Sequence, residues 1–321
     1  MKPKNNSNEL ILTRVFDAPV KLVWEAWTDP KKAAKWWGPR GFTITTKSKD
    51  LRPGGKWVYT MHGPDGVDFP NVATYFVVEP FKRLEYDHGA TENNKALFRV
   101  NVTFSESDGK TTMKMISTFE SAQIAKEMSG FIKMAGGTST WDRLGEYLEQ
   151  EHNNKNIFLL NRVFEAPIDV VFDMFISPAR IEKWQPPTGF NMKIIEGKIE
   201  AGSSVFYEMG NNEVKFYGRS TYQKITRHEW ISFIQEFCNE IGQNTKHPGA
   251  PVWPARWLTS ISFTEEEAGI TRITLKSEII DKHTSEELEA FIAARDGMTQ
   301  GWNGSLDRLE ENLEKKMEIL G

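Results

Sequence analysis

Apolar and polar residues along this chain follow two periods, and the switches between them mark the elements. In KWVYTMH, period two puts Trp57, Tyr59 and Met61 on one face of a strand and Val58, Thr60 and His62 on the other. Val205, Tyr207 and Met209 repeat that pattern later in the chain. Two further strands are predicted at ELILTRVF and NIFLLNRVF, each followed by a proline, Pro19 or Pro167, at a helix start where a missing N–H costs little. Helical spacing then takes over at Val23, Trp24 and Trp27, and again at Val171, Phe172 and Phe175. Asp29–Pro30 and Ser177–Pro178 break these helices and start a second short one in each half. Turn residues at Gly54–Gly55, Gly202, Asp108–Gly109 and Ala268–Gly269 punctuate a run of alternating strands. A long helix is predicted to close each half. Its apolar stripe runs through Ile124, Met128, Phe131, Met134, Trp141, Leu144 and Leu148 in the first half. In the second half it runs through Leu288, Phe291, Met298, Trp302, Leu309 and Leu313. Strand, two short helices, about six strands and a long helix make an antiparallel α+β layout, with the helix laid across the concave face of a curved sheet.

The order occurs twice because the sequence repeats. Residues 12–39 align without a gap to residues 160–187, with eleven of 28 positions identical. The offset is 148 there and 165 between WDRLGEYLE and LDRLEENLE near the two ends, so the second copy carries about 17 extra residues. Much of the excess falls near residues 238–257, and the polar run HNNKN at 152–156 suits a linker. The expected domains are residues 1–152 and 153–321. A period this long is a domain duplication and not a solenoid unit.

Composition narrows the function. The net charge of −4 leaves no basic face for nucleic acid, and no like-charge run suits a membrane surface. A single cysteine, Cys238, cannot form an internal disulfide or a thiolate metal site. With no apolar leader and no membrane-length apolar run, a soluble cytoplasmic protein is expected. Aromatic residues make up 12%, including 11 Trp. They can serve as core anchors, as partner patches or as the wall of a ligand pocket.

Several segments together resemble one family. They are RVFDAPVKLVWEAWTDPKKAAKWWGP, RPGGKWVYTMHGPDG, EPFKRLEY and AGGTSTWDRLGEYL in the first copy, and RVFEAPIDVVFDMFISPARIEKWQPP and GMTQGWNGSLDRLEENL in the second. Their succession is similar to the activator-of-heat-shock-protein-90-ATPase homologue family, a branch of the START-like (SRPBCC, Bet v 1-like) helix-grip superfamily. The resemblance implies two tandem domains, each a seven-stranded antiparallel sheet gripping a C-terminal helix over an apolar cavity. It also implies binding of a small hydrophobic or amphipathic molecule, since members of the wider superfamily bind lipids, sterols, hormones and polyketides. A few members are cyclases or hydrolases, and the family's founding co-chaperone activates a heat-shock ATPase. Nothing here resembles that co-chaperone's separate N-terminal domain. The second copy departs from the pattern where Trp184–Gln185–Pro186 replaces the double Trp.

The candidate ligand-lining residues in the first copy are Trp37, Phe42, Trp57, Tyr59, Met61, Tyr75, Met134 and Trp141. In the second they are Trp184, Phe190, Tyr207, Met209, Tyr217, Trp257, Met298 and Trp302. Trp36–Trp37 and Trp184 serve equally as plugs closing the core. Tyr59 and Tyr207 serve equally as core tyrosines tied to a carbonyl. His62 reads as a solvated strand-end residue, Asp65–Gly66 as a turn, Glu208 as an outward residue, and Arg14 and Arg162 as outward ion-pair partners. No HExxH, Cys/His cluster, phosphate loop or GxSxG is present, so no metal, cofactor or nucleotide is expected. The mid-helix glycines Gly136–Gly137, Gly297, Gly301 and Gly304 mark either close backbone packing or volume left empty. The loop with Trp253 and Trp257 is a lid or a docking patch. A binding module, an enzyme acting through a polar group in the pocket and a protein-interaction role all stand at this level.

Overall fold

The computed structural model describes residues 7–89, 91, 94–134, 139–152, 155–247 and 249–320. The chain divides into two compact units, residues 1–154 and 155–321. The first unit runs β1 (Glu9–Phe16), α1 (Val20–Thr28), α2 (Pro30–Ala33), β2 (Thr43–Lys49), β3 (Lys56–His62), β4 (Asp68–Glu79), β5 (Arg83–His88), β6 (Phe98–Ser107), β7 (Lys110–Thr118), α3 (Ala122–Met134) and α4 (Ser139–His152). Its seven strands form one antiparallel sheet in the order β1-β7-β6-β5-β4-β3-β2. The second unit runs β8 (Phe158–Phe164), α5 (Ile168–Phe175), α6 (Pro178–Trp184), β9 (Asn191–Gly197), β10 (Ser204–Gly210), β11 (Lys215–Thr226), β12 (Trp230–Cys238), β13 (Asn244–Thr245), β14 (Arg256–Glu267), β15 (Ile270–Ile279), α7 (Ser285–Ala293) and α8 (Arg295–Leu320). Its strand order, β8-β15-β14-β12-β11-β10-β9, repeats the first. The eighth strand, β13, pairs only with β12 and comes from the extra residues of this copy.

Local chemistry explains the boundaries. Pro19 and Pro167 sit in extended backbone as N-caps of α1 and α5. The Asp29 carboxylate accepts from the N–H groups of Lys31 (2.8 Å) and Lys32 (3.3 Å), which starts α2. At the β6–β7 hairpin Asp108 and Gly109 both take positive φ, 52° and 73°, as a tight two-residue turn requires. Thr284 and Glu287 close a capping box on α7.

Three long-range hydrogen bonds recur at equivalent places in both units. The Trp36 indole donates to the Ala26 carbonyl (3.0 Å) and the Trp184 indole to the Met174 carbonyl (2.9 Å), holding each second short helix on the first. The hydroxyls of Thr111 and Thr271 donate to the carbonyls of Ala18 (2.7 Å) and Ala166 (2.8 Å), tying a sheet strand to the loop before the first helix. Arg143 donates to the carbonyls of Gly38 (2.7 Å), Pro39 (2.9 Å) and Phe42 (3.1 Å). Arg308 does the same for Pro186 (2.9 Å) and Phe190 (3.1 Å). These arginines clip each closing helix to the loop that leads into the first edge strand.

The closing helix is not one rod. In the first unit Trp141, Leu144 and Leu148 of α4 join the main core. Ile124 and Met128 of α3 pack instead on a satellite cluster around Leu10, Phe119 and Ala125. In the second unit the capped helix α7 is separate from α8 and buries Phe291, while α8 buries Leu306, Leu309 and Leu313. The continuous stripe expected from the sequence is therefore divided between two clusters in the first unit and between two helices in the second. The sharp Thr284 cap and the Ala294 break between α7 and α8 are the local reason in the second. Gly136–Gly137 lies outside the described residues.

The arginines expected to point outward point inward. Arg14 shares a face with the core residues Leu12 and Phe16 and is 6% exposed. Arg162 shares a face with Leu160 and Phe164 and donates to Asp307 (2.7 Å) and Glu310 (2.6 Å) of α8. The alternation that places apolar neighbours inside carries these arginines inside as well, and for Arg162 the closing helix supplies the acids.

Candidate functional site

The inner face of the first sheet is an aromatic wall. Trp37 meets Trp57 edge-on with centroids 4.8 Å apart, and Trp57 stacks on Tyr59 at 4.2 Å. Tyr75 and Tyr86, paired across β4 and β5, lie 5.9 Å apart. From the helix side Trp141 stacks on Trp27 at 5.2 Å. Of the residues proposed for this copy, Trp37, Trp57, Tyr59, Met61, Tyr75 and Trp141 come together in one cluster. Phe42 stands apart from it, 6.0 Å from the exposed ring of Phe69. The Met134 side chain lies outside the described residues.

One atom in this wall is out of place energetically. Tyr59 is 2% exposed, and its hydroxyl makes no well-formed hydrogen bond among the described residues, the Trp37 side chain being the polar group that acts on it. Nearly all buried hydroxyls are paired, and leaving one unpaired costs about 1–3 kcal/mol. Burial raises the Tyr59 phenol well above the usual value, against a smaller lowering by Trp37. Burial likewise raises Tyr75 and Tyr86. All three phenols stay neutral across the physiological range.

Sequence reasoning missed the next residue. Period two puts His88 on the same face as Leu84 and Tyr86, and its ring lies 4.9 Å from Phe98. It is half-buried, and desolvation pushes its imidazole down to about 4. An ionisable group on the inner face was the feature wanted for an enzyme reading, and alternation from Tyr86 would have found it. A second missed residue is Lys49, whose ammonium donates to the Trp27 carbonyl (2.9 Å) and stands 3.7 Å from the Trp57 ring centroid. Burial pushes its amine down to about 7.

The second inner face is more polar. Tyr207 and Met209, each 8% exposed, join Trp184 in the core, with Phe190, Met298 and Trp302 packed against them. Trp184 is 2% exposed and bound to Met174, and it corresponds to Trp36 rather than to Trp37. Beyond them runs a hydrogen-bonded chain. Ser277 and Thr259 share a bond of 2.9 Å, Thr259 donates to the Gln235 side-chain oxygen (2.7 Å), and the Trp257 indole donates to that same oxygen (3.0 Å). By strand register Gln235 stands where the first copy has His88. Burial pushes the Tyr207 phenol up to about 12, with Gln235 and Ser220 acting the other way.

Tyr217 does not belong to this wall. It lies on the opposite face of β11 from Tyr222, stacked on Phe206 at 5.9 Å and interacting with Glu208. Aromatic residues occupy both faces of β11, so composition gave no parity with which to choose. Glu208 pairs outward with Lys215 at 3.0 Å. The extra loop folds back on its own unit. Trp253 packs on Phe291 at 5.6 Å and Trp257 at 5.9 Å, and His247 lies 4.6 Å from Phe237. The Trp253 indole N–H is buried without a partner among the described residues. No group of three or more His, Cys, Asp or Glu among the described residues is placed to hold a metal. No helix there is long and apolar enough to cross a membrane.

Two successive units, each an antiparallel sheet closed by C-terminal helices over an aromatic inner face, define a tandem helix-grip α+β protein. The family model for "Activator of Hsp90 ATPase homolog 1-like protein" matches residues 17–149 and 165–314, and the chain belongs to that family. No curated protein matches the chain. Among solved structures, a protein of Nitrosomonas europaea is 27% identical over 44% of this chain and 95% of its own, with a TM-score of 0.41. A protein of Mycobacterium smegmatis is 28% identical over 47% of this chain and 97% of its own, with a TM-score of 0.43. The di-domain ARO/CYC BexL from the BE-7585A biosynthetic pathway aligns over 95% of this chain and 98% of its own, at 10% identity and a TM-score of 0.39.

Proposed function

We propose that this protein binds a small apolar or amphipathic molecule between sheet and closing helices, with the first copy as the principal site. The observation that carries the reading is the buried Tyr59 hydroxyl, without a well-formed hydrogen bond, within an aromatic wall. A ligand bearing one hydrogen-bonding group on an apolar body would satisfy that hydroxyl and stack on Trp37 and Trp57. The polar chain through Gln235, Thr259 and Ser277 suits a more polar ligand in the second copy.

His88 favours a second reading, in which the first copy acts on its ligand as an acid–base enzyme. A neutral imidazole on the same face as three tyrosines is a weak proton acceptor at physiological pH, because desolvation holds it near 4. The two readings separate by whether the bound molecule leaves unchanged.

The test is native mass spectrometry of the purified full chain, followed by titration with fatty-acid and polyketide-like ligands. Tyr59→Phe should leave the free protein as stable or more stable, because it removes an unsatisfied hydroxyl. It should weaken a polar-headed ligand by about 1–3 kcal/mol. Loss of stability with unchanged affinity would show that the hydroxyl serves the fold alone.

A further inference from the structure

The outer face of the first sheet carries a second cluster that the interior reading does not use. His62 ends β3 and has a partner on each ring nitrogen. Nδ1 is 2.6 Å from the Asp68 carboxylate, and Nε2 is 2.9 Å from the hydroxyl of Thr45 on β2. The turn at Gly63–Gly66 brings Asp68 opposite His62, and the β2–β3 register brings Thr45 alongside. A carboxylate on Nδ1 fixes the tautomer that leaves Nε2 free to accept a proton, and the group at Nε2 is a hydroxyl. Both distances fall within the range for a nucleophile, its base and the base's orienting group.

The surroundings supply a place for a substrate. Thr45, but neither His62 nor Asp68, lines an open concavity of about 500 Å³ between α2 and β2, together with Pro30, Lys31, Ala34, Ile44 and residues 46–49. Three of its lining residues are lysines and none is an acid. β2 is the edge strand of its sheet. Gly63 N–H bonds across to Val67, so the odd residues of β3 face β4 and the even ones face β2. Thr45, opposite Thr60, is thus the bonded position, and alternation turns the Thr46 N–H to the open edge. The amide following the nucleophile is then available to a developing oxyanion.

We propose that Thr45, His62 and Asp68 form an acyl-transfer centre that hydrolyses small esters carrying a negative charge. His62 Nε2 takes the Thr45 hydroxyl proton as the oxygen attacks the ester carbonyl carbon. The tetrahedral intermediate collapses with cleavage of the bond to the alcohol oxygen, which receives the proton from His62. Water, deprotonated by His62, then attacks the acyl-Thr45 ester and releases the carboxylic acid and the free hydroxyl. The sum is ester plus water giving acid plus alcohol. The second copy serves as an internal contrast, because Lys193, Gly210 and Lys215 occupy the equivalent positions.

The test uses the full chain with 4-nitrophenyl acetate and the anionic 4-nitrophenyl hemisuccinate. Turnover of the hemisuccinate should exceed that of the acetate. Thr45→Val and His62→Gln should each lose about 100-fold, while Thr45→Ser retains activity. All three side chains reach the surface, so the variants keep the fold, as circular dichroism would verify. An acid-quenched digest after acetate treatment should carry the acetyl group on the peptide containing Thr45. Hydrolysis unchanged in Thr45→Val or His62→Gln overturns the assignment. So does the absence of turnover with either ester, or acetylation confined to Lys47 and Lys49.

Discussion

The two copies share their frame and differ in their walls. The indole clip, the threonine tie and the arginine clamp recur in both units, and every one of them ends on a main-chain carbonyl. Such bonds depend on where the backbone runs and not on which side chains face inward, so they survive while the inner faces diverge. Those faces diverge in both chemistry and side-chain size. Trp37 and Trp57 give way to Gln185 and Val205, Tyr86 to Phe233, His88 to Gln235 and Val100 to Thr259. The second copy draws its further large rings from its extra loop and the strand that follows, through Trp253, which packs on both Trp257 and Phe291. Within one fold the frame is held by the backbone, and the wall is left free to choose a ligand.

The largest effect should come from breaking the shared frame. Trp36→Ala and Trp184→Ala each remove a fully buried indole and its bond to a carbonyl, and each should cost about 3–5 kcal/mol. Chemical denaturation followed separately in each unit would show matched losses. A large loss in only one unit would mean that the clip is not common to both.

Next come the clamps. Arg143→Met and Arg308→Met leave carbonyls without their donor, and each should cost about 1–3 kcal/mol. Hydrogen exchange should rise at residues 38–42 in the first variant and 186–190 in the second.

His88 distinguishes the copies by pH. Its imidazole is held near 4 in the folded state against an ordinary 6.5. Between those values the unfolded chain binds a proton that the folded chain refuses, so the contribution is complete above about 6.5 and is lost as the pH falls through 4. The first unit should therefore lose stability over that window, and His88→Gln, which installs the second copy's residue, should flatten the slope. Thermal melts at pH 4.5 and 7 measure it. An unchanged slope would place the imidazole in water.

The smallest effect concerns the helix glycines of the second copy. A Cβ at Gly297 would meet no neighbour within 4 Å, so Gly297→Ala should stabilise α8 by about 0.5–1 kcal/mol. At Gly304 the added carbon would come within 3.2 Å of the Thr188 hydroxyl, and the gain should shrink or reverse. Equal gains at both positions would show that Gly304 is not a packing contact.

The sequence by itself determined the duplication, the order of the strands and short helices, and most of the aromatic residues that meet in each core. These follow from local signals: an ungapped repeat, prolines at helix starts, and period two along strands. It did not determine which polar residues share those faces. Arg14, Arg162 and His88 obey the alternation of their apolar neighbours, but polarity argues for the surface until a partner or a desolvating neighbour is known. Tyr217 lies outside because aromatic residues flank β11 on both faces, and only pairing with β10 and β12 fixes the parity. Thr45, His62 and Asp68 meet through the pairing of an edge strand with a hairpin. His62 is only 17 residues from Thr45 and 6 from Asp68, yet their meeting depends on strand register, of which period and composition carry no record.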